Sequence, residues 1–200
     1  MQVIEWTQFL EDGLKIKGKC CSMTVGIFDG VHRGHQALIE RIVSHNKNYI
    51  PVVVTFRQNH KTINSEQTAV NNSNEQKDIL AFQERLALFE NLGVQITIVI
   101  EFTENFKQLP GFEFLELLLK HGNVGFFAVG KNFRCGYQLD TDAASIKNFF
   151  TSHGIPVEVV PEIMEGSLPV SSSRIRTAIA EGDIELARKM LGAVQLAAKG

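Results

Sequence analysis

Short apolar stretches alternate with amphipathic helical patterns along this chain, and no other property of the sequence limits its fold so strongly. The stretches are nearly continuous runs of apolar and β-branched residues, as in strands that are buried on both faces of a sheet. They occupy residues 22–28, 50–56, 94–100, 124–129 and 156–160. Apolar residues at helical spacing occupy residues 34–45, 78–92, 112–119, 142–150, 172–180 and 183–191. This order predicts an α/β fold, a Rossmann-like parallel sheet with helices on both faces.

A parallel sheet of this kind binds ligands outside the carboxyl ends of its strands, so functional residues are expected in the loops that follow strands. One segment differs in composition, because residues 60–76 are rich in Asn, Ser and Gln and have almost no apolar side chains. Such a segment cannot offset its ordering entropy by burial, and we expect a mobile loop beside the site. With no internal repeat and no second block of composition, the sequence predicts one domain over residues 1–192 and a C-terminal tail at 193–200.

Charge, apolar run length and cysteine content exclude several classes of protein. Twenty Lys and Arg residues against 22 Asp and Glu give a net charge of −2, so no global field draws the chain to nucleic acid or anionic lipid. Any phosphate ligand must therefore be held by local groups. The apolar runs stop well short of the roughly 18 residues of a membrane span, and no signal peptide opens the chain. Cys20, Cys21 and Cys135 form neither a disulfide framework nor a zinc motif, and a cytoplasmic protein is expected.

The junction between the first predicted strand and the first predicted helix concentrates glycine and histidine. Residues 25–35 read VGIFDGVHRGH. Gly30 and Gly34 allow a close approach of the backbone to a ligand, and the following helix start offers free N–H groups, a geometry that predicts phosphate binding. His32 and His35 lie three residues apart, so both can donate hydrogen bonds to one phosphate, where charge builds in phosphoryl or nucleotidyl transfer. On spacing alone, a tight turn with surface histidines is an equally good interpretation.

A second helix start of the same kind lies near the end of the chain, where residues 170–176 read VSSSRIR. Serines there cap the helix and present hydroxyl and N–H groups, and Arg176 one turn later can clamp a pyrophosphate with two parallel hydrogen bonds. Arg174 lies about 200° around the helix from Arg176 and should point elsewhere. Taken alone, the segment is better read as a capped helix with solvated arginines, but two anion-binding helix starts in one α/β domain favour a functional site.

A third segment, GFFAVGK at residues 125–131, matches part of the P-loop pattern. Asn132 follows it where a P-loop has Ser or Thr. The residues between its glycines are apolar and β-prone, so they belong inside a strand. The sequence therefore predicts a buried strand here rather than a phosphate-binding loop.

FDGVHRGH, residues 28–35, resembles the HxGH signature of the nucleotidyltransferase superfamily in the extended form typical of bacterial FAD synthetases, the FMN adenylyltransferases. Further segments resemble family motifs in the same order along the chain: VVVTF the second strand, ERLALFENLGV the helix after it, VGKNFRCG the flavin-side motif, and VSSSRIRTAIAEGDIELARKMLG the C-terminal ISSTxxR element. The resemblance spans nearly the whole chain.

The resemblance implies a nucleotidyltransferase-type fold and an enzyme that converts ATP and FMN to FAD and pyrophosphate. The implied catalytic residues are His32, His35 and Arg176. The implied ATP-binding residues are Gly26, Phe28, Gly34, His35, Ser172, Ser173 and Arg176. The implied FMN-binding residues are Asp29, Asn132 and Asp142. Mg²⁺ is expected to enter with ATP on phosphate oxygens and water, with no protein ligand assigned, and no obligatory protein partner is predicted.

The chain departs from the family pattern at three points. After VVVTF the family continues with an acidic residue and Pro-His-Pro, whereas here residues 57–60 read RQNH. Thr141 replaces the glycine of a Gly-Asp pair, and Ile27 follows Gly26 where a small or polar residue is common. Bifunctional members carry a riboflavin kinase barrel after the last helix; since this sequence ends at Gly200, we expect no kinase activity.

Two other functions stay open from the sequence. The HxGH and ISSTxxR elements serve the superfamily at large, so the acceptor could be another phosphorylated compound such as nicotinamide mononucleotide or phosphopantetheine. The altered RQNH segment also leaves a flavin- or nucleotide-binding protein without turnover as an interpretation. The complete FDGVHRGH and VGKNF segments argue against the first, and the intact histidine pair argues against the second.

Overall fold

The computed structural model of the chain describes residues 1–57 and 78–192. The predicted mobile loop at 60–76 and the predicted tail at 193–200 lie outside the described residues. In chain order the strands are β1 (Gln2–Glu5), β2 (Cys21–Val25), β3 (Ile50–Arg57), β4 (Ile96–Glu101), β5 (Val124–Gly130), β6 (Arg134–Cys135), β7 (Thr141–Asp142), β8 (Val157–Val160), β9 (Met164–Glu165) and β10 (Leu168–Pro169). The α-helices are α1 (Trp6–Asp12), α2 (Arg33–Ser44), α3 (Phe82–Asn91), α4 (Glu104–Lys107), α5 (Gly111–Gly122), α6 (Ala143–Ser152), α7 (Ser172–Ala180) and α8 (Ile184–Leu191).

Six of these strands form one sheet in the order β1-β4-β3-β2-β5-β8, and every neighbouring pair in it is parallel. From β2 the chain moves outward through β3 and β4 on one side, and later through β5 and β8 on the other. The strand order therefore reverses between β2 and β5, and ligands of open α/β sheets bind at such a switch point. The predicted α/β parallel sheet is confirmed.

The central strands bury both faces, which explains their continuous apolar composition. Along β3, Val52 and Val54 face one layer of the core, whereas Val53 faces the other. Helices α1, α5 and α6 supply the first layer with side chains that include Phe9, Leu115, Leu118, Ile146 and Phe150. Helices α2 and α3 supply the second with Leu38, Ile39, Ile42, Leu86, Leu88 and Phe89. Both faces of the sheet are therefore covered by helices.

The last two helices form a smaller cluster of their own. It contains Val170 and Ile175 on one side and Ala187 and Met190 on the other, all buried. Ile79 and Ile163 pack against this cluster from two other parts of the chain. The start of α7 is thereby held next to residues that precede α3 and follow β8.

Several predicted boundaries are wrong: β4 begins at residue 96 instead of 94, and α5 ends at residue 122 instead of 119. Two further errors, in β2 and α3, have a clear cause in the backbone. Strand β2 ends at Val25 instead of residue 28, because Phe28 has a left-handed backbone conformation, with φ of 57°. Helix α3 begins at Phe82 instead of residue 78, because the N-cap residue Ala81 has a non-helical backbone with ψ of 148°. The P-loop-like segment lies in β5, as predicted from its composition. No helix in the described ranges is long and apolar enough to cross a bilayer.

Candidate active site

A cleft of about 720 Å³ lies at the carboxyl ends of the sheet strands. Residues that follow β2, β4, β5 and β8 line it, together with the start of α7. Of the residues predicted from sequence, all but Asp142 line this cleft. These residues are Gly26, Phe28, Asp29, His32, Gly34, His35, Asn132, Ser172, Ser173 and Arg176. The two helix starts that the sequence predicted as anion sites therefore face one space.

The loop between β2 and α2 has an unusual backbone. Phe28, Gly30 and Val31 have positive φ values of 57°, 78° and 37°. Positive φ is rare for a β-branched residue and persists only where the surroundings enforce it. Val31 is fully buried, and the side-chain amide of Gln36 donates to its carbonyl oxygen at 2.8 Å. This tight turn brings the chain from the end of β2 directly to the start of α2.

His32 is the N-cap residue of α2. Its Nδ1 accepts a hydrogen bond from the backbone N–H of His35 at 3.3 Å. Since Nδ1 accepts, the ring proton lies on Nε2. His32 is only 6% exposed, and this burial lowers its pKa to about 4 against an opposing effect of Asp29. His32 is therefore a neutral imidazole at neutral pH, with one N–H to donate.

His35 stacks on His32, with ring centroids 3.6 Å apart and ring planes inclined by 16°. Gly34 permits this arrangement, because a Cβ at that position would lie 3.2 Å from Nδ1 of His32. Burial, and then the proximity of His32 and of the Arg85 guanidinium, lower the pKa of His35 well below its ordinary value. Its Nδ1 has no hydrogen-bond partner among the described residues. The pair thus presents neutral rings to the cleft.

The start of α7 is capped by Ser171, whose hydroxyl accepts from the backbone N–H of Arg174 at 3.2 Å. Ser172 does something else: its hydroxyl donates to the backbone carbonyl of Asp29 at 2.8 Å. Ser173 is exposed in the cleft. The serine run therefore closes the helix start, ties it to the loop after β2, and leaves one hydroxyl facing the cleft.

Arg176 and Asp29 form an ion pair, in which Nη2 lies 2.5 Å from Oδ2. The other carboxylate oxygen of Asp29 accepts the N–H of Ile79 at 3.0 Å. Family resemblance implies that Asp29 contacts FMN. In the structure, however, each oxygen of this carboxylate already has a protein partner. Arg174 points away from the cleft, as expected, and its Nη1 donates to the carbonyl oxygens of Glu165 and Leu168 at 3.0 and 2.9 Å.

The two other implied flavin contacts have different surroundings. Asn132 is exposed at the edge of the cleft, and its amide donates to Glu162 at 2.6 Å. Asp142 lies outside the cleft lining, where it caps α6 by accepting from the N–H of Ser145 at 2.9 Å. Hydrogen bonds from Ser145 lower the pKa of Asp142. Asp142 therefore has a local structural role at the start of α6.

Sequence reasoning missed the aromatic wall of the cleft, formed by apolar residues at the end of β3 and in the segments that follow β4 and β5. Phe102 lies 5.7 Å from Phe56 and 5.9 Å from Phe106, measured between ring centroids. The full set is Phe56, Phe102, Phe106, Leu109, Phe114, Phe133 and Leu139. The signal was the position of Phe102 and Phe106 directly after a buried strand, where ligands of a parallel sheet bind.

Sequence reasoning also missed Arg85, a buried residue that bonds backbone carbonyls of segments that line the cleft. It is 3% exposed and donates to the backbone carbonyls of Ile27 and Phe56, the latter at 3.2 Å. Burial lowers the pKa of this guanidinium. Arg85 thereby joins the carboxyl ends of β2 and β3. An arginine in an amphipathic pattern is normally assigned to the solvent face, and only the folded chain places this one inside.

Comparison with known proteins agrees with this architecture. The model of the FAD synthetase family matches residues 15–174. The bifunctional riboflavin kinase/FMN adenylyltransferase of Escherichia coli K12 is 30% identical over 174 residues, which cover 86% of this chain and 54% of that protein. The protein of the same description from Bacillus subtilis 168 is 29% identical over 174 residues, covering 85% of this chain and 52% of that protein. The chain spans about half the length of these curated relatives.

Two solved structures extend the comparison. The crystal structure of a Streptococcus pneumoniae protein described as a macrolide-efflux protein aligns with a TM-score of 0.79 and 27% identity, covering 96% of this chain and 62% of that one. A Francisella tularensis pantoate-beta-alanine ligase, complexed with beta-gamma ATP and beta-alanine, aligns with a TM-score of 0.57 over 98% of this chain and 79% of that one. At 18% identity, the second likeness concerns the nucleotidyltransferase-type fold alone. Because the family model covers most of its length, the chain belongs to the FAD synthetase family.

Proposed function

We propose that this chain is an ATP:FMN adenylyltransferase. An oxygen of the FMN phosphate attacks the α-phosphorus of ATP in line, the bond to the α,β-bridging oxygen breaks, and FAD and pyrophosphate are formed. The observation that carries this proposal is the composition of the single cleft. Its lining combines two helix starts that carry His32, His35 and Arg176, which we call the phosphate wall, with a second group of aromatic side chains, the aromatic wall. ATP phosphates suit the first wall, and a flat flavin ring suits the second.

The histidine pair acts on the α-phosphate. In-line transfer needs little covalent chemistry from the protein, so positioning and charge stabilisation supply the rate. Both rings are neutral in the free protein, because burial lowers the pKa of each. They therefore act first as hydrogen-bond donors, with Nε2–H of His32 fixed by its cap bond. As negative charge builds on the α-phosphate oxygens, these preorganised donors stabilise it without reorganising water.

The start of α7 holds the departing β- and γ-phosphates. Its backbone N–H groups and the Ser173 hydroxyl face the cleft, and Arg176 lies one turn further on. Nε of Arg176 has no hydrogen-bond partner within the described chain, so the guanidinium keeps donors for phosphate oxygens. Ser172 contributes indirectly, because its hydroxyl is already bonded to Asp29.

Mg²⁺ would enter this site as an ion carried by ATP. Within residues 1–57 and 78–192 there is no group of three or more His, Cys, Asp or Glu side chains that could cage a metal. The carboxylate of Asp29, in the loop after β2, is paired with Arg176. Mg²⁺ commonly keeps water ligands and binds through substrate phosphates, and when bound it would neutralise charge on the leaving pyrophosphate.

The test is product identification with pure protein, ATP and Mg²⁺. FMN, nicotinamide mononucleotide, phosphopantetheine and riboflavin are supplied one at a time, and products are identified by mass. We expect FAD and pyrophosphate from FMN alone; the riboflavin reaction tests the expectation that this chain makes no FMN. Adenylylation of another acceptor, or binding of FMN and ATP without product, would contradict the proposal in favour of one of the two alternative functions.

A further inference from the structure

We infer that Asp29 is a positioning residue for Arg176, which it fixes in the orientation needed for the β,γ-phosphates of ATP. The inference rests on the proposed function, since it assumes that Arg176 binds those phosphates. It differs from the assignment of Asp29 to FMN that family resemblance implies. Asp29 lies in the strained turn after β2, whereas Arg176 lies on α7, 147 residues later in the sequence.

The two carboxylate oxygens and the backbone carbonyl oxygen of Asp29 each accept a hydrogen bond from a different residue. Oδ2 accepts from Arg176 at 2.5 Å, and Oδ1 accepts from the N–H of Ile79 at 3.0 Å. The backbone carbonyl accepts from the Ser172 hydroxyl at 2.8 Å. Asp29 therefore joins the turn after β2, the start of α7 and the segment before α3. We name these three bonds the Asp29 clasp.

Because Asp29 is buried, its ion pair with Arg176 should stay formed when ATP binds. The Asp29 side chain is 5% exposed, and that of Arg176 is 29% exposed. Removing Arg176 from this carboxylate would leave a buried charge with a single backbone partner, which is strongly unfavourable. Moving Asp29 would also break its bonds to Ile79 and Ser172. Arg176 therefore stays anchored through Nη2 while its remaining donors meet phosphate.

The geometry also explains why aspartate occupies this position. Asparagine has the same shape but can present only one acceptor oxygen, so one of the two donors would face an NH₂ group. Glutamate keeps the charge but adds a methylene to a site that is almost fully enclosed, which forces a shift. Only the short carboxylate satisfies both donors in this space.

The experiment is a double-mutant cycle on FAD formation with D29N, R176A and D29N/R176A. D29N should raise KM for ATP by about tenfold or more, as expected for the loss of a charge-assisted hydrogen bond, while KM for FMN stays within about twofold. The double variant should have at least the kcat/KM for ATP of R176A, because Asp29 acts only through Arg176. D183N, which alters an acidic N-cap on the neighbouring helix α8, is the matched control and should leave both KM values unchanged.

Four results would overturn the inference: a D29N effect confined to FMN, additive losses in the double variant, unchanged ATP use in D29N, or tighter ATP binding by D29N. Thermal unfolding checks that D29N is folded. If it is not, S172A removes the clasp bond that carries no charge and should raise KM for ATP about threefold to tenfold; an unchanged KM would count against the clasp. If wild type forms no FAD, the proposed function fails, and calorimetry with a non-hydrolysable ATP analogue still tests whether D29N weakens nucleotide binding.

Discussion

At the scale of single residues, the proposed function gives the His32 ring a chemical role in addition to its observed role as the N-cap of α2. Nδ1 accepts the N–H of His35 in the first turn of α2, while Nε2–H is left for the cleft. The cap bond thereby fixes the tautomer and the orientation of the donor. A substitution that keeps the cap acceptor but removes the Nε2–H donor can distinguish the structural role from the chemical one.

His32→Ala and His32→Asn should therefore differ in stability but agree in rate. The asparagine carbonyl replaces Nδ1 as the cap acceptor, but nothing replaces Nε2–H. We expect turnover to fall by about 10² in both variants, the usual cost of losing one preorganised donor. The free energy of unfolding should fall by about 1 kcal/mol in the alanine variant only. Steady-state rates and urea unfolding measure the two effects; full turnover in H32N would remove the donor role.

The lowered pKa of His32 also predicts how stability depends on pH. Its pKa is about 4 in the folded chain, against 6.5 for an ordinary histidine. Above about pH 6.5 neither state is protonated and the stabilisation is complete. As the pH falls from there toward about 4, only the unfolded state takes up the proton, so stability decreases by at most about 1.4 kcal/mol per pH unit.

Urea unfolding of wild type and H32N between roughly pH 7 and pH 5 measures this dependence. The asparagine variant keeps the cap and lacks the titrating ring, so its stability should fall less steeply. The histidine at position 35 contributes in the same direction in both proteins, because burial lowers its pKa too. Equal slopes in the two proteins would mean that His32 titrates normally in the folded chain.

At the scale of elements, α7 illustrates what the local sequence can predict. Its predicted bounds, 172–180, are those observed, because capping serines and apolar spacing are local signals. The first strand and helix were not predicted: β1 is four residues long and α1 seven, and β1 is defined by its pairing with the distant β4. A prediction from local patterns misses such a strand, because only its pairing with another strand identifies it.

Arg174 on α7 should matter for stability and not for ATP. Its guanidinium donates to carbonyls at Glu165 and Leu168, which belong to the β9–β10 hairpin. We expect Arg174→Ala to lower the free energy of unfolding by about 1 kcal/mol, since a charged donor to two partly exposed carbonyls is lost. KM for ATP should change much less than in R176A. Arg188→Ala, on an exposed position of α8, is the matched control for both measurements; an ATP defect in R174A equal to that of R176A would contradict this division of roles.

At the scale of the whole molecule, the cleft is assembled from segments that the sequence keeps far apart. The sequence motifs predicted that the two helix starts would line one site, because each helix start carries its own glycines, serines or histidines. They could not predict that Asp29 and Arg176 form a pair, or that Arg85 supports the ends of β2 and β3. They also missed the aromatic wall, whose members come from several strands, helices and loops. Side chains that line the cleft were predictable where one segment supplies them, and contacts between segments were not.

This division predicts that the two substrates can be perturbed separately. Phe102 lines the aromatic wall and is 40% exposed, so its truncation leaves most of the core packing intact. Phe102→Ala should raise KM for FMN about tenfold, as expected for the loss of one aromatic contact with a flat ring, while KM for ATP stays within about twofold. Phe112→Ala is the matched control, because Phe112 is 52% exposed and lies outside the cleft lining. Steady-state kinetics with each substrate varied in turn measure both constants. If F102A raises KM for ATP instead, or if F112A matches it, the flavin does not bind at the aromatic wall.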